Sequence, residues 1–254
     1  MAQVALVTGA ARGIGFGTAK ALAHAGFSVA LNGLVEDPDL TTAVAELACI
    51  GPAIAAPFDV TDLSQHAAML ARIEDRLGPL TTLVNNAGVG VLRRGDPLDV
   101  TEASWDRCMN VNAKAVFFLT QAFSKQILSR PRDPDLFHAI ITVSSSNARA
   151  VAEPRSEYAA SKAAAAMITQ SFAVRLGRDN IAVYDVQPGL IDTEMTAPVI
   201  DHYADRARAG LTLFPRIGTP SDVGQIIATL ATGKLPYTTG QVISADAGLL
   251  VPRF

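Results

Sequence analysis

The stretch Val4-Ala-Leu-Val-Thr-Gly-Ala-Ala-Arg-Gly-Ile-Gly15 decides how this chain folds. Its opening run, Val4 to Val7, is apolar throughout and reads as a strand buried on both faces. The run stops at Thr8-Gly9, and a helical pattern extends from Gly13 to Ala25. Glycines between a strand and a helix permit a tight turn and close backbone approach to a pyrophosphate, which the helix N-terminus stabilises. The spacing here is Gly-x3-Gly-x-Gly, and an ordinary glycine-rich turn can carry the same letters. Its position in the first βαβ unit of an alternating chain points to a dinucleotide.

The alternation continues outward from this turn. Strand-like runs occupy Ser28 to Asn32, Ala53 to Asp59, Thr82 to Asn85, Ala139 to Val143, Ile181 to Val186 and Gln241 to Ser244. Between them lie helical patterns at Thr41 to Cys49, Ser64 to Leu77, Glu102 to Ser129, Ser156 to Gly177 and Ser221 to Thr232. Such alternation predicts an α/β fold with a parallel sheet covered by helices on both faces. Ser129 to Asp135 reads as a polar surface loop. The long irregular stretch at about 190–215 reads as a substrate lid, so residues 1–254 form a single domain.

Composition narrows the class. The chain has 254 residues, 21 basic and 24 acidic side chains, and a net charge of −3. Charged residues are 18%, below the roughly 25% of an average domain, while apolar residues reach 49%. A nucleic-acid binder would show a clustered basic excess instead. Cys49 and Cys108 are too few for a disulfide scaffold, and no apolar run reaches the roughly 18 residues of a membrane span. The N-terminal apolar run is too short for a secretory signal. The expectation is a soluble, cytoplasmic globular protein, unusually apolar for its class, with no membrane or nucleic-acid partner.

Three further pieces carry chemistry. Tyr158-Ala-Ala-Ser-Lys162 places a phenol and an ammonium one helical turn apart. A phenol with an ordinary pKa of about 10 is a weak acid–base catalyst at neutral pH, and a neighbouring cation favours its ionised form. Ser145, in Val143-Ser-Ser-Ser146, lies at the carboxyl end of an apolar strand, the edge where open α/β sheets bind ligands. Asn85-Asn-Ala-Gly88 ends another strand at that edge, and Asn112 is a polar residue inside an apolar helical pattern. Each piece alone has a bland reading as a solvated pair, a turn or a buried hydrogen bond.

In this order, with Pro188-Gly189, the pieces resemble the short-chain dehydrogenase/reductase family. Glu157-Tyr-Ala-Ala-Ser-Lys162, Pro215-Arg-Ile-Gly-Thr-Pro220 and Thr239-Gly-Gln-Val242 are similar to its 3-oxoacyl-(acyl-carrier-protein) reductase-like branch. The resemblance implies a seven-stranded sheet of order 3-2-1-4-5-6-7 and hydride transfer between a nicotinamide cofactor and a ketone/secondary alcohol pair. It assigns Tyr158 as acid or base and Ser145 as holder of the substrate oxygen. Lys162 would hold the nicotinamide ribose and favour the phenolate, and Asn112 would position a water for proton relay. Gly9, Arg12, Gly13, Ile14, Gly15 and Asn32 would line the cofactor with Asn86, Ala87 and Gly88. Asp59 and Val60 would meet adenine, and Pro188, Gly189, Ile191 and Thr193 would hold the nicotinamide. It also implies a homotetramer, or a homodimer, acting on a small carbonyl or alcohol.

The chain departs from this pattern in several places. Gly33, in Leu31-Asn-Gly-Leu34, stands where an NAD-selecting acid is usual. Arg12 can meet a 2′-phosphate, while Glu36, Asp37 and Asp39 oppose that charge. The expectation is NADP, with NAD as the alternative. Tyr184-Asp185 replaces Val-Asn, Ala247 interrupts Asp-Gly-Gly, and Asp179 occupies the place of a carrier-docking arginine beside Arg178. A 3-oxoacyl thioester is therefore an alternative substrate, and a dinucleotide-binding regulator without turnover is a rival from another class. A nucleotide-sugar epimerase would need another glycine spacing and a larger C-terminal region.

The remaining reactive residues have simpler readings. His24, His66, His138 and His202 lack metal-ligand spacing, so no metal is expected. Cys108 reads as a buried small residue, and Trp105, Phe117 and Phe118 as packing. Arg93, Arg94, Arg149 and Arg155 are either solvated or available to an anionic or polyhydroxylated substrate.

Overall fold

The computed structural model describes residues 3–253. Seven parallel strands form one sheet: β1 (Val4–Val7), β2 (Ser28–Leu31), β3 (Ala53–Ala55), β4 (Thr82–Asn85), β5 (Ala139–Val143), β6 (Ala182–Pro188) and β7 (Val242–Ala245). Their order is β3-β2-β1-β4-β5-β6-β7. The order reverses between β1 and β4, and a crevice opens there above the strand ends.

Adjacent residues of each strand face opposite sides, and both sides are apolar. Val7, Leu31, Val84, Ile141 and Val186 pack with helices α1 (Gly13–His24), α2 (Pro38–Ala48) and α8 (Pro220–Ala231). Leu6, Leu83, Ile140 and Val183 pack with α3 (His66–Leu77), α5 (Ala115–Leu128) and α6 (Ser156–Leu176). Each fully buried aliphatic side chain contributes about 1.5–3 kcal/mol. Double-sided burial therefore accounts for much of the apolar excess. The edge strand β7 leaves Val242 and Ser244 exposed.

Helices α1 and α8 touch through glycine. A Cβ on Gly224 would lie 2.4 Å from the Gly17 carbonyl oxygen, and one on Gly17 would lie 2.6 Å from that of Pro220. Contact this close fixes the first helix, and with it the glycine turn. At the other end of α8's first turn, Thr219 and Asp222 form a reciprocal capping box, and Arg216 grips both Asp222 carboxylate oxygens. Arg216 and the Thr219 amide hold the Asp222 carboxyl far below the usual carboxylate range.

Three expectations change here. The pattern Glu102 to Ser129 is not one α-helix. It divides into α4 (Glu102–Met109), a π-turn at Asn110–Lys114, and α5. The stretch at about 190–215 is not a structureless loop, because it contains α7 (Ile200–Arg206) and a π-turn at Ala207–Leu211. Trp105 is 45% exposed and so is not core packing, whereas Phe117 stacks edge-on with Phe118 and Phe172.

Candidate active site

The glycine turn is held from behind by two asparagines. Asn86 Nδ2 donates to the carbonyls of Thr8, at 2.8 Å, and Gly9, at 3.1 Å. Asn32 Oδ1 accepts from the Gly9 amide at 3.2 Å, while its Nδ2 donates to the carbonyls of Gly33, Ala56 and Phe58. Both amides are thus committed to backbone. Asn32, assigned to the cofactor from sequence, ties β2 and the chain after β3 to the turn. Thr8 Oγ1 accepts from the amides of Asn86 and Ala87, each at 2.9 Å, a role the sequence did not single out.

These clamps leave a cradle. Gly9 and Gly13 have φ of +61° and +55°, which disfavours any side chain. A Cβ on Gly15 would lie 2.1 Å from the Gly9 carbonyl oxygen. The N-terminus of α1 carries no side-chain cap and no acid in its first turn, so its amides remain available. Across the crevice, a Cβ on Gly13 would lie 3.7 Å from Thr193 Cγ2. Such a lining fits a pyrophosphate-bearing ligand.

Arg12 is exposed and paired. Its guanidinium lies 3.1 Å from Glu194 and 3.5 Å from Asp39. The Glu194 contact joins the glycine turn to the segment after β6. Asp37 caps α2 by accepting from the Leu40 amide at 2.8 Å. Asp59 accepts from the amide and hydroxyl of Thr61, and the Val60 carbonyl lies 2.9 Å from His66 Nε2, which explains that buried histidine. Gly189 donates to the Ala245 carbonyl, and a Cβ there would meet Asp246 at 2.8 Å. The Ile191 carbonyl and the Thr193 amide both bond to Thr196 Oγ1.

At the same sheet edge the titratable groups converge. Lys162, 5% exposed, donates from Nζ to the Val143 carbonyl at 2.9 Å. Its Nζ lies 5.8 Å from the Tyr158 ring centre, and the Arg155 guanidinium carbon lies 5.4 Å from it. Tyr158 is 9% exposed, and its hydroxyl has no protein hydrogen-bond partner among the described residues. Ser145 caps the turn after β5 by accepting from the Asn147 amide at 3.1 Å, and that turn packs against α6.

Asn112 lies in the π-turn. Its Oδ1 accepts from the Val89 amide at 2.8 Å, and its Nδ2 donates to the Val89 carbonyl and to Ser161 Oγ. Ser161, unnoticed between Tyr158 and Lys162, donates to the Tyr158 carbonyl at 2.8 Å. A Cβ on Gly88 would sit 3.3 Å from both Asn112 Oδ1 and Lys162 Nζ. The π-turn therefore faces the helix bearing Tyr158, with Gly88 between. A shallow groove of about 380 Å³ at Pro97, Val100, Trp105 and Ser156 is lined by none of these side chains.

The family whose profile is described as enoyl-(acyl carrier protein) reductase matches residues 9–250. The chain belongs to the short-chain dehydrogenase/reductase family. It is accordingly an oxidoreductase. A 3-oxoacyl-[acyl-carrier protein] reductase from Brucella melitensis, solved in complex with NAD, superposes with a TM-score of 0.96. That structure is 36% identical, with 100% of this chain and 99% of that one covered. Galactitol 2-dehydrogenase of Agrobacterium fabrum is 34% identical over 97% of this chain and 96% of its own length. The 5-keto-D-gluconate 5-reductase of Escherichia coli K12 is 32% identical over 97% and 94%. Family membership agrees with the sheet order. Among the described residues no cluster of ligands suits a metal, and no helix is long and apolar enough to cross a membrane.

Proposed function

We propose that this chain transfers a hydride between a nicotinamide dinucleotide and a ketone/secondary alcohol pair, with Tyr158 as the acid in reduction and the base in oxidation. One observation carries the reading: an unpartnered phenol hydroxyl beside a buried ammonium, at the sheet edge that the glycine turn also reaches. The bound dinucleotide supplies or accepts the hydride.

The chain's own groups do the rest. Tyr158 donates its hydroxyl proton to the oxygen that gains charge during reduction. Ser145 Oγ holds that oxygen and fixes its direction. Lys162 has one N–H on the Val143 carbonyl and two remaining, which suit the phenol oxygen and the ribose hydroxyls. A water at the Asn112 turn links Lys162 to solvent. Gly9, Gly13, Ile14 and Gly15 bind the pyrophosphate, Asp59 and Val60 border adenine, and Ala87 and Gly88 line the ribose. Pro188, Gly189, Ile191 and Thr193 orient the nicotinamide. The segment at about 190–215 covers the substrate.

Arg12 decides the cofactor. The sequence preference for NADP requires its charge for a 2′-phosphate. Glu194 and Asp39 already share that charge, and Glu36 and Asp37 stand close in sequence. We therefore assign NAD over NADP, since the added phosphate would meet surplus negative charge. The second substrate reading, a 3-oxoacyl thioester, is favoured by the likeness to the Brucella reductase. Against it, Asp179 bonds to Arg175 at 2.6 Å and offers a carrier protein no cation. Exposed Met167 and Val174 on α6, with Trp105 on α4, support self-association through these helices, which a homotetramer or a homodimer would cover.

Tyr158→Phe tests the central claim. It is expected to keep the thermal stabilisation by dinucleotide and to lose turnover by at least about 100-fold. Full turnover with binding intact would overturn the reading. Stronger stabilisation by NADP than by NAD would overturn the cofactor choice, and a monomer in light scattering the assembly.

A further inference from the structure

Arg155 ends the short turn Glu153–Arg155 and immediately precedes α6. It is partly buried, its guanidinium carbon is 5.4 Å from the centre of the Tyr158 ring, and among the described residues that guanidinium makes no hydrogen bond or ion pair. Other partly buried arginines differ. Arg130 grips Glu74, and Arg132 donates to the Asp179 carbonyl. A guanidinium has five donors and stays charged at any working pH, so a partly dehydrated one without an acceptor is a place for an anion.

The neighbouring charges favour the same reading. Glu157 is buried and accepts from Ser104 Oγ at 2.6 Å. Asp96 caps its own turn through the Leu98 amide. Glu153 is exposed. The Gly95 amide donates to the Pro154 carbonyl at 3.2 Å, which ties the segment bearing Arg93 and Arg94 to the Arg155 turn.

We infer that Arg155 recognises a carboxylate on the substrate, a short carbon chain away from the carbon that Tyr158 serves, so that the substrate class is a keto acid and its hydroxy acid. This rests on the hydride-transfer reading above. The planar fork of arginine matches a carboxylate through two parallel hydrogen bonds, and the tyrosine ring beneath it limits its freedom before the substrate arrives. Neutral polyols and thioesters have no group for this contact.

The test compares three- to six-carbon keto acids with their methyl esters, using the wild type, Arg155→Gln and Arg155→Lys. The wild type is expected to favour the acid at least tenfold in kcat/KM. Arg155→Gln should raise KM for the acid at least tenfold more than KM for the ester, and Arg155→Lys should recover part of that difference. Equal handling of acid and ester by the wild type would overturn the inference. So would a variant that loses both substrates alike, because that marks a structural effect on Tyr158. If turnover is absent with every carbonyl and carbinol although the dinucleotide binds, the hydride-transfer reading falls, and this inference falls with it.

Discussion

Asn112 and Ser161 are hydrogen-bonded, Nδ2 to Oγ at 2.9 Å, across the gap between the π-turn and the helix bearing Tyr158. The bond explains why a helix expected to be continuous is not. Widening one turn turns the Asn112 amide towards Val89 and α6, and π-bulges occur often at functional sites. Asn112→Ala removes three hydrogen bonds at a buried position. It should lower stability by about 2–3 kcal/mol and turnover by at least about tenfold. Unchanged melting and unchanged activity would show that the π-turn holds itself.

Asp185 should make the fold less stable as pH rises above the ordinary carboxylate range. It is 1% exposed, and burial pushes its carboxyl up, although neighbouring Ser144, Gln187 and the Lys162 charge pull the other way. One carboxyl oxygen has no partner, and neither does Gln187 Oε1. The folded chain therefore keeps a proton that the unfolded chain releases above about pH 4. Stability is full below that pH and falls as pH rises through the folded-state value. Asp185→Asn should match the wild type near pH 4 and exceed it by about 1–3 kcal/mol at pH 8. Parallel melting curves from pH 4 to 8 would refute this.

Glu74 should have the opposite dependence. Burial raises its carboxyl, but Arg130, the Leu80 amide and Gln126 together hold it below its ordinary value. Its contribution is present above the ordinary carboxylate range and is lost as pH falls through the lowered folded-state value. Glu74→Gln should cost about 1.5–3 kcal/mol at pH 7 and remove that acid-limb slope in urea unfolding.

Ala247 carries a backbone cost. Its φ is +53°, and its carbonyl accepts from the amides of Leu213, at 2.8 Å, and Phe214. An alanine in the left-handed region costs roughly 1–2 kcal/mol, part of which glycine returns through unfolded-state freedom. Ala247→Gly should stabilise the chain by about 0.5–1 kcal/mol, or ~1–4 °C in melting temperature. A lower melting temperature would show that the alanine methyl packs usefully.

The glycine turn, the parallel sheet and the pairing of Tyr158 with Lys162 on one helical face were legible because local chemistry dictates them, whereas Ser145 was placed beside them only through the family resemblance. A strand apolar on every residue must be buried on both faces, and Tyr-x3-Lys must share a helical face. The π-turn, the α7 helix and the exposure of Trp105 were not legible. Each depends on the rest of the chain: Val89 for Asn112, Ala247 for the segment after α7, and for Trp105 which elements pack over α4.

Charge separated the two levels most clearly. By itself the sequence determined a 254-residue α/β chain of low charge with a dinucleotide turn and a phenol–ammonium pair, since periodicity and spacing are local properties. Only the tertiary structure decided which cations are free. Arg12 is shared between Glu194 and Asp39, 182 and 27 residues away along the chain, while Arg155 stands unpaired over Tyr158. An arginine's availability depends on what folding brings within about 4 Å of it, and no local pattern encodes that distance.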